Sequence, residues 1–403
     1  MSKVVLLSVF GADRPGITAT LTKTLSLYNI SILDIGQAVI HNTLSLGILL
    51  RIPDSSEQSP VFKDILYKGY EMGLTVKFEP ISSDNYEEWV NSQGKDRFIL
   101  TILAELITAK QISAVSEIIS SNGLNISSIT RLTGRQSLNK NQINNRSSIE
   151  MLLRGKPYDL KKLRNEIMSV SKDCGIDIAF QFDDIYRRNR RLIAFDMDST
   201  LIQCEVIDEL AREAGVIKDV SAITERAMKG EIDFNTSLSM RLSYLKGLDQ
   251  SVLPKIADRL PLTAGVERLM ENLKNIGYKT AIISGGFTYF GKYLQQKLGF
   301  DYVFANELQI INGKLTGKVI GDVVNAQKKA ELLNKLSEEE KIRLEQTIAV
   351  GDGANDLPML NTAGLGIAFH AKPLVKENAK QSISKFGLDG ILYLLGFSDR
   401  EMI

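Results

Sequence analysis

Apolar and polar positions alternate in two different rhythms along this chain, and the change between them falls near residue 190. From Val4 to Phe10 a short apolar run reads as a strand, turned by Gly11-Ala12-Asp13-Arg14-Pro15-Gly16. Ile17, Leu21 and Leu25 then recur at helical spacing, with Leu27 and Tyr28 closing the helix. Asn29 to Ile35 starts a second strand, His41-Asn42 is a hairpin candidate, and Thr43 to Arg51 is the third strand. Pro60 to Gly73 reads as a helix and Leu74 to Pro80 as a fourth strand. The order β-α-β-β-α-β predicts a ferredoxin-like α+β domain over 1–82. Ser82 to Asp96 is polar, carries the only tryptophan, Trp89, and reads as a linker. The same order then repeats over 97–183. Its elements are strand Arg97–Leu106, helix Ala109–Asn122, strand Leu124–Leu132, strand Ser148–Arg154, helix Tyr158–Cys174 and strand Ile176–Asp183. Ser137 to Arg146, rich in Asn, Gln and Ser, reads as a mobile hairpin tip.

Beyond 185 the strands lose their polar alternation. Leu192-Ile193-Ala194-Phe195, Ala281-Ile282-Ile283 and Thr347-Ile348-Ala349-Val350 are nearly uninterrupted apolar runs. Such runs suit strands buried on both faces of a parallel sheet. The segment 185–403 is therefore expected to be a Rossmann-like α/β domain. Helical spacing over Cys204–Ala214, Ser221–Lys229, Phe234–Leu248 and Ser251–Arg259 interrupts the α/β alternation. An insertion at about 205–260 would form a small helical cap over the sheet mouth, excluding water and choosing the substrate. Asn312-Gly313 between two apolar segments is a hairpin signal.

Composition narrows the function classes more than the fold. With 49 basic and 48 acidic side chains, the net charge of +1 gives no argument for nucleic acid or an anionic membrane as a partner. Arg187-Arg188-Asn189-Arg190-Arg191 is the one basic cluster, and it reads as a solvated linker. Cys174 and Cys204 lack metal-ligand spacing, so a reducing cytoplasm is the expected compartment. No apolar run is long enough to span a bilayer.

The chemistry sits where the buried strands end. Parallel sheets present reactive groups just past the carboxyl ends of their strands. Asp196 and Asp198 follow the first run directly, with Ser199 and Thr200 opening the turn. Alone, this pair is equally well explained as a capped strand end. Three further stretches change that balance: Ser284-Gly285-Gly286 after the second run, Lys328-Lys329 at a helix start, and Gly351-Asp352-Gly353-Ala354-Asn355-Asp356 after the third. His370 has no partner acid in sequence and reads as structural.

In order and spacing these four stretches resemble the haloacid dehalogenase-like phosphatases. The resemblance implies that Asp196 is a nucleophile forming an aspartyl-phosphate, and that Asp198 is the acid–base that protonates the leaving alcohol. It further implies that Ser284, with backbone near Gly285, holds a phosphoryl oxygen, and that Lys329 supplies a fixed positive charge. Mg²⁺ is the implied cofactor, held by Asp196, the backbone carbonyl of Asp198 and Asp352, with Asp356 and Asn355 orienting the metal shell and substrate. Within the cap, Glu205, Met228, Phe234 and Arg241 are similarly placed to residues of the phosphoserine phosphatase family. There Arg241 would take the substrate carboxylate and Glu205 its ammonium, with Met228 and Phe234 lining the pocket. Ordinary cap packing also explains the last two. The implied reaction is hydrolysis of O-phospho-L-serine, the last step of L-serine synthesis. A related small-molecule phosphatase or phosphotransferase, and a sensor with an inactive catalytic half, remain alternatives. The Asp-Arg-Pro-Gly turn makes 1–82 resemble an ACT domain, an amino-acid-sensing module. The repeat at 97–183 lacks that turn and is a degenerate ACT-like copy. An amino-acid effector and a homodimer are the implied partners.

Overall fold

The computed structural model describes residues 3–53, 58–91, 96–135, 146–228 and 231–403, apart from the side chains of Gln58, Ser59 and Met228. Two compact units divide it, Met1–Lys95 and Asp96–Ile403.

The first unit is built on four antiparallel strands: β1 (Lys3–Ala12), β2 (Ser31–Ile40), β3 (Thr43–Ile52) and β4 (Thr75–Ile81), in the order β2-β3-β1-β4. Alternation decides which face is covered. Leu7 and Val9 of β1 and Leu44, Leu46, Ile48 and Leu50 of β3 are buried against Leu21, Leu25, Val61 and Ile65 of the helices Ile17–Ser26 and Gln58–Glu71. The first helix starts at Gly16, whose φ of 93° is the left-handed conformation that glycine adopts without strain. The turn before it is tied down by the Arg14 guanidinium, which donates to the carbonyl of Met72. Among the described residues strand β2 pairs only with β3, and Ile32, Ile35, Val39 and Ile40 along it are exposed. Within the expected linker, Ser83–Asn91 is a helix. Ser82 starts it by accepting the Asn85 N–H at 3.2 Å, and the rings of Tyr86 and Trp89 stand 6.0 Å apart, one turn from each other. Spacing of i, i+3, i+4 through Tyr86, Trp89 and Val90 is the signal hidden by the polar composition.

The second unit contains two sheets. Strands β5 (Arg97–Ala104), β6 (Leu124–Arg131), β7 (Ser147–Gly155) and β8 (Asp177–Phe182) repeat the arrangement of the first unit, in the order β6-β7-β5-β8. Of the expected tip at Ser137–Arg146, only Arg146 lies within the described residues. The larger sheet comprises β9 (Leu192–Phe195), β10 (Lys279–Phe287), β11 (Tyr302–Ile311), β12 (Lys314–Ile320), β13 (Thr347–Gly351), β14 (Leu365–Phe369) and β15 (Gln381–Ile383). Their order is β12-β11-β10-β9-β13-β14-β15, parallel except for β12. Every residue of β9 is fully buried, as an uninterrupted apolar run requires. Helices Val206–Glu213, Ile217–Met228, Phe234–Tyr244 and Val252–Asp258 form the inserted cap between β9 and β10.

The two sheets of this unit are sealed to each other. The Gln381 amide accepts the Phe180 N–H at 2.8 Å and donates to the Phe180 carbonyl at 2.6 Å, doing for β8 and β15 what a ladder rung does within a sheet. Asp177 accepts the backbone N–H groups of Ser384 and Lys385 at 2.9 and 2.7 Å. Asp399 accepts the Gly134 N–H at 2.7 Å and pairs with Arg268 at 3.2 Å. This seam corrects the expectation that 187–191 is a solvated linker at two of its five residues. Arg187 and Arg190 are only 2% and 6% exposed. Arg187 pairs with Glu150 of β7, while Arg190 reaches the Glu345 carbonyl at 3.4 Å. Arg188, Asn189 and Arg191 between and after them stay exposed. The two that turn inward lose water and take partners in the seam.

Candidate active site

The larger sheet brings its chemistry to one mouth. Central β9 runs directly into Asp196 and its neighbour β13 into Asp352, while its other neighbour, β10, carries Ser284 where its pairing with β11 shifts register past Ile283. Strand order alone therefore collects three of the four sequence stretches. The fourth arrives on the helix Ala326–Glu339, capped by Asn325, whose side chain accepts the Lys328 N–H at 3.0 Å.

Lys329 is fully buried, and its ammonium donates to Asp196 at 2.7 Å and to Asp356 at 2.6 Å. Burial alone would lower its pKa, but Asp196 and Asp356 outweigh that and hold the ammonium above its ordinary value. Asp356 also accepts the Gly353 N–H at 2.9 Å, which fixes the loop after β13. Carboxylate oxygens of Asp196, Asp352 and Asp356 lie within 4.8 Å of one another. Burial, then Asp196 and Asp356, push Asp352 up to about 8. Thr200, a residue of the first turn with no assigned part, donates to Asp352 at 3.4 Å. A cluster of carboxylates with one lysine leaves negative charge uncompensated, and an all-oxygen donor set of this kind fits a hard divalent cation such as Mg²⁺.

Asp198 is tied to the cap. One of its oxygens accepts the N–H of Val206, the first residue of the cap helix, at 3.0 Å. Burial, followed by Glu205 and Asp196, holds its carboxyl well above the usual carboxylate range. Gly286 passes so close that a Cβ there would collide with Asp198 and Met197. Ser199 takes a φ of 56° in the turn, and its hydroxyl donates to Glu205 at 2.8 Å. Glu205 is exposed at the mouth, yet the protein crowded round it raises its pKa. The Ser199 bond opposes that shift, Asp196 and Asp208 add to it, and Arg241 opposes it.

The cap meets this mouth from the other side. Phe234 overhangs the serine loop, where a Cβ on Gly285 would come within 2.9 Å of its ring. Arg241 is half-buried on the same helix, its Nε donating to the Ser237 carbonyl at 3.4 Å. Burial lowers its pKa, against the pull of Glu205, Asp208 and Asp198. Ser284 is buried and accepts the Gly286 N–H at 3.0 Å, so its own proton remains free to donate. Asn355 lies in the short turn Ala354–Asp356 and overhangs Gly353. The Met228 side chain lies outside the described residues. His370 stands apart from this cluster; its Nε2 contacts the Phe386 carbonyl at 3.0 Å.

Residues 3–79 match the family model of the ACT domain, and residues 190–364 that of the haloacid dehalogenase-like hydrolases. The parallel sheet, the inserted cap and the acidic mouth with its buried lysine are the frame of that hydrolase class. A haloacid dehalogenase family hydrolase from Salmonella enterica serovar Typhi superposes with a TM-score of 0.63 at 33% identity, covering 74% of this chain and 98% of that one. The phosphoserine phosphatase of Streptomyces coelicolor is 38% identical over 400 residues, 99% of this chain and 93% of that protein. The phosphoserine phosphatase SerB2 of Mycobacterium tuberculosis is 36% identical over 399 residues, 99% and 94% of the two chains. The chain belongs to the phosphoserine phosphatase family.

Proposed function

We propose that this chain hydrolyses O-phospho-L-serine to L-serine and phosphate with Mg²⁺, as the last step of L-serine synthesis in the cytoplasm. The observation that carries this reading is the buried Lys329 bridging Asp196 and Asp356 beside Asp352 at the sheet mouth. An Asp196 oxygen attacks phosphorus, the bond from phosphorus to the serine oxygen breaks, and Asp198 gives that oxygen its proton. The raised pKa of Asp198 keeps the proton available at neutral pH. Asp198 then takes a proton from water, the water oxygen attacks phosphorus, and the bond to Asp196 breaks to release phosphate. Lys329 keeps a positive charge beside the nucleophile, and Ser284 with the backbone near Gly285 donates to the phosphoryl oxygens. Asp196, Asp352 and the Asp198 carbonyl would hold Mg²⁺, which when bound neutralises the crowded anions. Asp356 and Asn355 orient this shell.

Phosphoserine differs from a generic phosphate ester by its carboxylate and ammonium, for which the cap offers Arg241 and Glu205, with Met228 and Phe234 closing the pocket. A panel of phosphorylated small molecules, with and without Mg²⁺, should show phosphoserine preferred and turnover lost in EDTA. Arg241→Ala should lower kcat/KM for phosphoserine by about 100-fold, since a lost charge-assisted pair costs about 2–4 kcal/mol, with little effect on p-nitrophenyl phosphate. Equal losses on both substrates would remove Arg241 from recognition. Preference for another ester would overturn the substrate.

The chain also divides by role: an ACT domain at 1–82, an ACT-like copy at 97–183 and the phosphatase at 185–403. The first of these binds an amino acid, L-serine being the natural choice, at its Gly11–Gly16 turn, and shifts activity by favouring one arrangement of the chain. The unpaired β2 edge, with its exposed apolar residues, supports a homodimer, whose mass light scattering on the full chain reads directly. Calorimetry on residues 1–95 is expected to detect L-serine binding, and a chain of 96–403 is expected to turn over without responding to it. No binding at millimolar serine, together with unchanged inhibition in 96–403, would leave the first unit a scaffold.

A further inference from the structure

One buried polar side chain outside the residues assigned above touches two of the four loops that form the mouth. Asn306 lies on β11 and is 2% exposed. It stands opposite Phe287 in the β10–β11 pairing, beside the register shift between Ile283 and Phe287 that contains Ser284, Gly285 and Gly286. Both ends of its amide are used. The NH₂ donates to the Gly285 carbonyl at 2.7 Å, and the oxygen accepts the Val324 N–H at 2.8 Å. Those two partners fix which end of the amide is which.

A trans peptide unit points its C=O and N–H in opposite directions. Drawing the Gly285 carbonyl toward Asn306 therefore turns the Gly286 N–H of the same unit the other way. That N–H holds the Ser284 hydroxyl oxygen at 3.0 Å. One lone pair of the serine oxygen is thereby held by the backbone, and its proton is left to donate. On its other side Asn306 grips Val324, the residue before Asn325, which caps the helix carrying Lys329. One amide thus sets the serine hydroxyl against the lysine-bearing helix. Buried amides that lose one partner pay for the group left unpaired, so the grip is stiff.

We propose that Asn306 is a positioning residue for phosphoryl transfer, aiming the Ser284 hydroxyl and fixing its distance from Lys329. The proposal rests on the phosphatase reading but not on the identity of the alcohol. Its test is a double-mutant cycle in the full chain: parent, Asn306→Ala, Ser284→Ala and both together, assayed with phosphoserine and with p-nitrophenyl phosphate. Asn306→Ala is expected to lower kcat/KM by about 10- to 100-fold on both substrates alike, since removing one oxyanion donor costs on the order of 10²–10³. In the Ser284→Ala background the same change should cost less than about twofold, because residues acting as one unit are not additive. Asn306→Asp keeps an acceptor for Val324 but loses the donor to Gly285, and should lower kcat/KM as Asn306→Ala does. Calorimetry with inorganic phosphate gives a readout independent of turnover: affinity should fall in Asn306→Asp, and Asn306→Asp should lower it no further in the Ser284→Ala background. Losses that multiply in the double variant, or an Asn306→Asp chain indistinguishable from the parent in both assays, would overturn the proposal. A parent that prefers another ester would overturn only the substrate, and the cycle would read the same on that ester.

Discussion

Asp196→Asn is expected to abolish turnover, by about 10⁴-fold or more, while the chain keeps its fold. The amide has the shape of the carboxylate but no charge to attack phosphorus. Its neighbours remain: Asp196 N still donates to the Val350 carbonyl at 2.8 Å, and Lys329 still has Asp356. Beryllium fluoride, a mimic of the phosphoryl group, should load Asp196 in the parent and fail to load the asparagine variant. Fluorine NMR reads both cases. Loading in the variant, or turnover within 100-fold of the parent, would move the nucleophile elsewhere.

Lys329→Met is expected to have the second largest effect, and it should reach stability as well as rate. The ammonium is the one cation within hydrogen-bond distance of both Asp196 and Asp356 among the described residues. Methionine fills similar space but leaves two buried carboxylates facing each other. Breaking a buried ion pair on one side costs about 3–5 kcal/mol. Turnover should fall by about 10³-fold with the loss of a charge aimed at the reacting group. The sign of the pH dependence follows from the raised pKa of Lys329. Its contribution is fully present below the unfolded value of about 10.4 and is lost only as pH climbs through the higher folded value. The ammonium itself therefore adds no pH dependence to the deficit in urea midpoint from about pH 7 to 9; any slope there comes from the carboxylates left behind, with Asp352 titrating at about 8. A deficit that vanishes within that range would mean that the ammonium is not what stabilises the pair.

Much of this site is legible because the sheet sorts residues by simple rules. Uninterrupted apolar runs marked β9, β10 and β13, and reactive groups follow directly at Asp196, Ser284 and Asp352. Other features depend on partners far along the chain. Asn306 sits in a strand with nothing in its local sequence to separate it from a turn-forming asparagine. Its meaning comes from Gly285 and Val324, 21 and 18 residues away. Arg187 and Arg190 read as solvated because charge runs usually are. Their burial follows from Glu150 and from the docking of two sheets, which composition does not encode. The helix Ser83–Asn91 was masked differently: three aromatic or aliphatic positions among polar ones suffice to hold a short helix, but not to announce it.

The seam between β8 and β15 also sets the order in which the chain can mature on the ribosome. The Phe180–Gln381 bonds join residues 201 apart, and the Gly134–Asp399 bond joins residues 265 apart. At about 5–20 residues per second of synthesis, the sheet at 97–183 waits on the order of ten seconds or more for its partner edge. Throughout that interval Asp177 and Phe180 lack the partners they find at Gln381, Ser384 and Lys385, and β8 is an open edge of the kind that recruits other strands. Nascent chains that have not reached residue 381 are therefore expected to present this edge to holdase chaperones and to aggregation.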